Sequence, residues 1–450
     1  ALITSKRQAG VNHKAFGVTS EGVAVFLDMG LRASNIDPTT QPFTVALTGG
    51  PDGDIAGNSI KILVRLYKNQ VRFIGIADAS GLGEDPEGLD HAELLRLVAE
   101  QKPIAMFNKL KLGPKGRIIS VSERGGRRLA NSLHLRLCGD AFIPAGGSRK
   151  FDVDSLEPFL EGQGGLPRFK VLVECNNPFI TATAREALAK HSDIVFVECH
   201  SATKCGVICS SYEVLASMVF SEEDFLKHKP YLVQQILERL RQLASREATF
   251  LLREYLLRRD GPTVAELSEQ LSQGIDAVSA SLYEYLVQHD PEVRGQLWAR
   301  AVRELPPLLA RQDETVLRTR VATDYWRWAA AKAVAADLLY HEGPSFITGL
   351  AHADLATLAL RWAKADDVTQ GLLEEVRTSG VISDTARLAE VLELAGTRGM
   401  LAADLRNSSP GSASRGASTS PRQTRITPRP PPEPEWGMQR GESMSPVPHS

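Results

Sequence analysis

The segment FTVALTGGPDGDIAGN (43–58) passes from an apolar run into a loop that carries four glycines. Glycine loses more conformational freedom on folding than any other residue, so it is used where backbone needs unusual dihedrals or a close approach. Two interpretations of the loop stay open. It is either a tight surface turn or a loop whose backbone lies against a bound phosphate.

Apolar runs like the one before this loop recur through the first half of the chain. Strands are predicted in FTVALTG (43–49), VRFIGIAD (71–78), RIISVSE (117–123), DAFIPAG (140–146), FKVLVECN (169–176) and DIVFVE (193–198). Helices are predicted in GNSIKILVRLY (57–67), LDHAELLRLVAEQ (89–101) and ITATAREALAKH (180–191). Continuously apolar runs indicate strands buried on both faces of a sheet. The order of elements predicts an α/β fold with a Rossmann-like, doubly wound and mostly parallel sheet.

Beyond about residue 216 the spacing of apolar residues becomes that of helices, as in YLVQQILERLRQLA (231–244). Further helices are predicted near 245–258, 264–288, 293–311, 316–340 and 384–404, with Gly-Pro and Pro-Pro pairs between several of them. We therefore expect an all-helical C-terminal domain over residues 216–405. The Ser-, Pro- and Arg-rich residues 406–450 cannot bury much apolar surface, which predicts a disordered tail.

Composition excludes some classes of partner. Of the 450 residues 43% are hydrophobic, and the net charge of −2 gives no field that would attract nucleic acid or an anionic membrane. No apolar stretch reaches the roughly 20 residues that a membrane-spanning helix needs. The five cysteines form an odd, sparse set, which indicates reduced thiols and an intracellular compartment. Because the chain begins with Ala1 rather than Met, we expect a fragment or a processed product.

The glycine loop lies between a predicted strand and a predicted helix, as a dinucleotide-binding turn does. Gly50, Gly53 and Gly57 would let the backbone approach a pyrophosphate, and the helix that begins near Asn58 points its N-terminus there. Asp78 ends the next strand, where a carboxylate can accept hydrogen bonds from ribose hydroxyls and repel a 2′-phosphate. This favours NAD over NADP.

Two later segments contain polar side chains that are typical of an active site. In VECNNPFITATAREAL (173–188), the amides of Asn176 and Asn177 are candidates to bind a nicotinamide carboxamide or ribose, or one of them caps the helix. In SATKCGVICSSYEVLA (201–216), the hydroxyl of Ser210 or Ser211 is a candidate for a substrate carboxylate, or again a helix cap. The residues alone leave both alternatives open.

Zinc is not favoured by the cysteine spacing. Cys199, His200, Cys205 and Cys209 lie close together in sequence, but no CxxC pair occurs among them. Cysteines packed beside a cleft explain the pattern better, and no metal site is predicted. The sequence also lacks the GxSxG elbow of hydrolases and the GxxxxGK[ST] loop of NTPases.

These segments together resemble the large NAD-specific glutamate dehydrogenases of eukaryotic type, whose subunits exceed a hundred kilodaltons. The similarity spans about residues 3–345. It rests on KAFGVTSEGV (14–23), TGGPDGDIAGN (48–58), IADASG (76–81), EDPEGLD (84–90), AFIPAGG (141–147), ECNNPFITATAREAL (174–188), SATKCGVICSSYEVLA (201–216) and the helical residues 305–343.

The resemblance implies oxidative deamination of L-glutamate to 2-oxoglutarate and ammonium, with NAD as the hydride acceptor. It implies that residues 1–40 end a substrate domain and include a junction helix, and that residues 41–215 form the NAD-binding domain. The implied cofactor-binding residues are Gly50, Gly53, Gly57, Asn58, Asp78, Thr19 and Asn177, and Ser210 is implied to hold the substrate carboxylate. Lys6 lies where the family has a TGK sequence, and its role is left open. We expect a homo-oligomer in the mitochondrion or the cytoplasm.

The chain departs from the family pattern at three positions near the nicotinamide. Cys175 and Cys205 each stand where the family usually has glycine, and Thr203 stands where it usually has asparagine. A cysteine at a glycine position is expected to obstruct close contact with a ligand. The family's catalytic lysine and aspartate are expected upstream of Ala1. Two alternatives follow: a dehydrogenase of another amino acid, or a non-catalytic nucleotide-binding subunit.

Overall fold

The computed structural model describes residues 10–147, 150–176, 179–258, 261–381 and 384–407. Lys6, Asn177 and nearly all of the tail predicted over 406–450 lie outside the described residues. The described residues up to Asp404 belong to one compact unit. The division of this unit into an NAD-binding and a helical domain at residue 215 stays a prediction.

Seven strands form a single sheet in the order β4-β3-β2-β1-β5-β6-β7. Their bounds are β1 Phe43–Thr48, β2 Val71–Ala77, β3 Gly81–Glu84, β4 Arg117–Ser120, β5 Gly139–Pro144, β6 Phe169–Val173 and β7 Val195–Val197. The five strands β2, β1, β5, β6 and β7 are mutually parallel, while β3 and β4 add an antiparallel edge. The predicted α/β fold with a mostly parallel sheet is confirmed.

The helices fall into two sets. Those around the sheet are α1 His13–Phe16, α2 Val18–Ala33, α3 Asp54–Tyr67, α4 His91–Ala99, α5 Gly126–Asn131, α6 Val153–Leu160, α7 Ala182–Ala189, α8 Cys199–Ala202 and α9 Lys204–Val219. The C-terminal set is α10 Glu222–Leu257, α11 Val264–His289, α12 Gly295–Arg303, α13 Pro307–Ala310, α14 Glu314–Arg320, α15 Thr323–Glu342, α16 His352–Thr378 and α17 Thr385–Asn407. Within the described residues, none of these helices is long and apolar enough to cross a lipid bilayer.

The central strands are buried on both faces, which explains their continuous apolar sequence. In β1, Val45 and Leu47 belong to the core shared with α2 and α3. Ala46 points to the opposite side, into a core that includes Phe151, Phe159 and residues of α7. Successive strand residues point to opposite faces, so a strand covered by helices on both sides needs apolar residues at every position.

The antiparallel edge was not predicted in full. Strand β3 has the sequence GLGE, and glycine is depleted in strands, so no local signal marks it. Its glycines permit close pairing, because a Cβ at Gly83 would lie 2.9 Å from the Cδ1 of Ile118 in β4. Strand β4 was predicted correctly as a strand, but it is antiparallel and only Ile118 in it is buried.

The helical region differs from the prediction in four places. The predicted helices at 231–244 and 245–258 are parts of one long helix, α10. The predicted helix 293–311 is broken before Pro306, and 316–340 is broken near Val321. Helix α16 was missed because four of its nine buried residues are alanines, which weaken the apolar stripe. By contrast, α11 begins where predicted, at a capping box formed by Thr263 and Glu266.

Candidate functional site

The order of the strands places a crevice beside β1. From β1 the chain passes through α3 to β2 on one side, and β5 pairs with β1 on the other side. At such a switch point the loops after neighbouring strands diverge and leave a gap at the carboxyl edge of the sheet, where ligands of α/β folds bind. The loop TGGPDGDIAGN lies at this edge.

A cleft of about 770 Å³ opens at the switch point. Its walls come from the loops that follow β1, β2 and β5, together with α5 and residues near it. The lining residues are Thr48, Gly49, Gly50, Asp52, Ala77, Asp78, Ala79, Ser80, Pro103, Val121, Arg127, Ala130, Asn131, Gly146, Gly147, Lys150 and Phe179. The volume falls within the range of small-molecule and cofactor sites.

Backbone conformation and close contacts explain why glycine is required at three positions of the loop. Gly49 has φ of +96°, a conformation that side chains rarely adopt. A Cβ on Gly50 would overlap the Oδ2 of Asp78 and lie 2.5 Å from the Oδ1 of Asp52. A Cβ on Gly57 would overlap the carbonyl oxygen of Pro51. Gly57 is therefore required by the loop's own turn, whereas Gly50 is required where the loop meets the acidic strand end.

The start of α3 divides the predicted phosphate-binding residues between two surfaces. Gly50 lines the cleft, whereas Gly53, Gly57 and Asn58 line a neighbouring groove of about 410 Å³. The Nδ2 of Asn58 donates to the backbone carbonyls of Lys14 at 2.8 Å and residue 54 at 2.9 Å. Both amide hydrogens of Asn58 are therefore used within the protein, and its cofactor-binding role stays a prediction.

Asp78 has structural partners of its own. Its Oδ1 accepts hydrogen bonds from the backbone N–H of Ser80 at 2.7 Å, the hydroxyl of Ser80 at 2.5 Å and the N–H of Gly81 at 3.2 Å. Its Oδ2 accepts the N–H of Ile104 at 2.7 Å. A carboxylate offers about four acceptor positions, so Oδ2 keeps capacity for a further donor from the cleft.

The structure brings Thr19 and Ser210 together around one glycine. A Cβ on Gly206 would lie 3.2 Å from the Oγ1 of Thr19, and the Oγ of Ser210 donates to the carbonyl of Gly206 at 3.3 Å. Ser210 lies in the middle of α9, so the helix-cap interpretation of this serine is wrong. The bond of Ser210 is local, one turn back along α9, whereas Thr19 approaches Gly206 from a segment distant in sequence, and the binding roles of both side chains stay predictions.

The two-asparagine segment is described only in part. Asn177 lies outside the described residues, and its assigned role stays a prediction. The Nδ2 of Asn176 donates to the carbonyl of Gly147, which lines the cleft. Helix α7 begins at Ala182 with Thr181 at its N-cap position, so Asn176 does not cap it.

Just before that segment, a buried ion pair stabilises the end of β6. Glu174 is fully buried, and its carboxylate accepts hydrogen bonds from the Nε of Arg185 at 3.0 Å and the Nη2 at 2.7 Å. The hydrogen bond to Glu174 raises the pKa of Arg185. The pair ties α7 to the strand end that carries the asparagines.

The three departures from the family pattern point into the protein. Cys175 is buried, and its thiol donates to the carbonyl of Val173 at 3.2 Å. Cys205 is buried against Gly22 of α2, and burial raises the pKa of its thiol to about 12. The hydroxyl of Thr203 donates to the carbonyl of Cys199 at 2.7 Å. Neither cysteine side chain lines the switch-point cleft, and the expected obstruction of the nicotinamide contact stays a prediction.

Several residues of the cleft were missed from sequence. Arg127 and Lys150 place cationic side chains in its lining, and Ser80 adds a hydroxyl. Arg127 belongs to the RGGRR segment, which the sequence marks only as a local basic loop. The cluster of charge was a usable signal, but its position over the cleft depends on the antiparallel edge that was not predicted.

A doubly wound sheet with a glycine loop and an acidic strand end at its switch point defines a Rossmann-like domain. Residues 10–256, more than half of the chain, match the family model described as Glutamate/Leucine/Phenylalanine/Valine dehydrogenase. The chain belongs to this family.

Parts of the chain are similar to NAD-specific glutamate dehydrogenases of two yeasts. A probable NAD-specific glutamate dehydrogenase of Schizosaccharomyces pombe is 37% identical over 240 residues, which cover 50% of this chain and 21% of the relative. An NAD-specific glutamate dehydrogenase of Saccharomyces cerevisiae is 31% identical over 304 residues, covering 61% of this chain and 27% of the relative. The chain thus spans about a fifth to a quarter of these relatives. A solved glutamate dehydrogenase structure aligns with a TM-score of 0.41 at 16% identity, covering 58% of this chain and 52% of its own.

Proposed function

We propose that this chain binds NAD in the switch-point cleft, as the nucleotide-binding part of a glutamate dehydrogenase. The reaction is the oxidative deamination of L-glutamate to 2-oxoglutarate and ammonium. The observation that carries the proposal is the meeting of Gly50 and Asp78 at the carboxyl edge of β1 and β2. The relatives named as NAD-specific glutamate dehydrogenases support the choice of cofactor and substrate.

In the proposed complex, the glycine loop lies against the pyrophosphate and the N-terminus of α3 points toward it. Asp54, in the first turn of that helix, is exposed, so its carboxylate points to solvent. Asp78 accepts hydrogen bonds from the adenine ribose, through the capacity that Oδ2 retains. The cations of Arg127 and Lys150 offset the negative charge of the phosphates.

The proposed substrate end lies around Gly206. Thr19 lies beside the nicotinamide and Ser210 binds the substrate carboxylate in this proposal, which rests on their shared position next to that glycine. Bound NAD would supply the hydride acceptor for oxidation at the α-carbon of the substrate held by these residues. A lysine of lowered pKa and a proton-shuttling carboxylate are needed for this step, and neither is assigned within the chain.

A second candidate is a dehydrogenase that acts on another amino acid. The description of the family model favours this alternative, because it covers leucine, phenylalanine and valine besides glutamate. The non-catalytic alternative rests on the substitutions at Cys175 and Cys205, and the absence of NADH formation by the intact protein would favour it.

Two further properties belong to the same proposal. We propose a homo-oligomer, which sedimentation of the purified chain tests, with a single monomeric species as the contrary result. We also propose residence in the mitochondrion or the cytoplasm. Fractionation of cells that express the intact protein tests the location, and recovery in a secreted fraction would contradict it.

Calorimetric titration with NAD⁺ and NADP⁺ tests the cofactor. We expect one NAD⁺ per chain and weaker binding of NADP⁺, because Asp78 repels a 2′-phosphate. Equal affinities would overturn the role of Asp78, and binding of neither would overturn the proposal. Formation of NADH by the intact protein, compared between L-glutamate, L-leucine, L-phenylalanine and L-valine, decides between the two candidate substrates.

A further inference from the structure

Three metal-binding side chains converge beside α9, outside the switch-point cleft. They are His13 at the start of α1 and Cys209 and Glu213 on α9. One donor atom from each, an imidazole nitrogen, the thiol sulfur and a carboxylate oxygen, lies within 4.8 Å of the others. Cys209 and Glu213 are one helical turn apart, so they lie on the same face of α9.

Two of these donors are buried without a hydrogen-bond partner. Glu213 is 1% exposed, and its Oε2 accepts no hydrogen bond from the described residues. The Nε2 of His13 is likewise buried and lacks a hydrogen bond there. These two atoms are 3.4 Å apart. With a neutral imidazole both buried atoms lack a hydrogen bond, which is costly, and a cation held between them, either a proton or a metal ion, satisfies both.

The remaining contacts orient Glu213. Its Oε1 accepts the backbone N–H of Val11, which holds the carboxylate with Oε2 directed at His13. In metal sites, a hydrogen bond from the protein to the atom of a side chain that does not bind the metal typically orients that side chain.

We propose that His13 Nε2, Cys209 Sγ and Glu213 Oε2 bind a divalent cation of the zinc class. Nitrogen, thiolate and carboxylate are the ligands zinc takes, and bond lengths of about 2.0–2.3 Å at tetrahedral angles separate ligand atoms by roughly 3.5 Å. The His13–Glu213 separation already matches this value, and the sulfur needs to approach by at most about 1.3 Å. A fourth position stays open to water.

Binding is balanced by loss of one proton from the thiol to solvent. Burial raises the pKa of Cys209, so the thiol is protonated until the metal replaces its proton. The ion would join the N-terminal segment to α9 next to Gly206, since the Nδ1 of His13 lies 3.9 Å from a Cβ built on that glycine. The site does not depend on the proposed dehydrogenase activity, because its three donors bind metal whether or not NAD is present.

Metal titration of the full 450-residue chain tests this site. We expect one Zn²⁺ per chain and no comparable binding of Mg²⁺, which prefers octahedral oxygen ligands. Co²⁺ should produce a sulfur-to-cobalt charge-transfer band in the near ultraviolet. Cys209→Ser should abolish that band and weaken Zn²⁺ binding by roughly 100-fold or more, since loss of an outer-shell partner alone costs about 10–100-fold.

Cys205→Ser is the matched control, because Cys205 is a buried thiol one turn earlier on the same helix. We expect the cobalt band and the Zn²⁺ affinity of Cys205→Ser to equal those of the unmodified chain. The proposal is overturned if the unmodified chain gives no stoichiometric Zn²⁺ and no band. It is also overturned if the band survives in Cys209→Ser or disappears equally in Cys205→Ser. Glu213→Gln, which preserves shape, gives an independent test should Cys209→Ser unfold.

Discussion

Replacing Asp78 by alanine separates a structural role from a ligand-binding role. The substitution removes the acceptor for the N–H groups of Ser80, Gly81 and Ile104 and for the Ser80 hydroxyl. At about 1 kcal/mol for each net hydrogen bond in this partly exposed place, we expect the free energy of unfolding to fall by roughly 3–4 kcal/mol.

The same substitution removes the proposed acceptor of the ribose hydroxyls. Loss of this one hydrogen bond to a charged carboxylate weakens NAD⁺ binding by roughly 1.5–3 kcal/mol, or about 10–150-fold. The preference for NAD⁺ over NADP⁺ should narrow as well, because the repulsion of the 2′-phosphate is lost.

Asp85→Ala is the matched control. The carboxylate of Asp85 is 1% exposed and accepts the backbone N–H groups of Glu87 at 3.0 Å and Gly113 at 2.7 Å, but it does not line the cleft. We expect about 2 kcal/mol less stability, with unchanged NAD⁺ affinity. Urea unfolding measures the stability. Calorimetry, at a temperature where both variants are folded, measures the NAD⁺ affinity. Equal losses of affinity in both variants, or none in Asp78→Ala, would refute the role of Asp78.

Three further substitutions test the surroundings of the cleft. Gly50→Ala should lower NAD⁺ affinity in calorimetry at least as much as Asp78→Ala because its Cβ overlaps that carboxylate, whereas Gly371→Ala, in open space, should leave it unchanged. Arg185→Met should reduce the free energy of unfolding by about 3–5 kcal/mol by leaving Glu174 unpaired, and a loss below 1 kcal/mol in urea titration would contradict a buried pair. Burial lowers the pKa of His134 from 6.5 to about 4, so the unfolded chain takes up a proton at a higher pH than the folded chain does. The free energy of unfolding should therefore drop by about 3 kcal/mol as the pH falls from 6.5 to 4. Urea titrations across this range should show that His134→Phe removes this part of the drop.

Local patterns predicted the parts of the fold that depend on local sequence. The strand of residues 43–48 was predicted because burial on both faces requires an unbroken apolar run. Strand β3 was missed because glycine has a low propensity for strands. Helix α16 was missed because the alanines on its buried face, although good helix formers, give only a weak apolar stripe. In both cases the stabilising contacts come from neighbours distant in sequence.

In the candidate site, too, some features could be predicted from local sequence and others depend on tertiary contacts. Gly50 and Asp78 could be placed together from sequence, because both follow adjacent parallel strands. The position of Thr19 beside Gly206 was not predicted, since no periodicity connects the two segments and the family resemblance assigns Thr19 only to the nicotinamide. The grouping of His13 with Cys209 and Glu213 could not be predicted from sequence. Cys209 and Glu213 are neighbours on α9, but His13 lies in α1, and only the fold brings it to them.

A crystal structure of the chain with NAD⁺ tests the central claim most directly. We expect electron density for the pyrophosphate against the loop at Gly50 and for the adenine ribose within hydrogen-bond distance of the Asp78 carboxylate. Density for NAD⁺ at another surface, or a ribose directed away from Asp78 with the loop unoccupied, would contradict it.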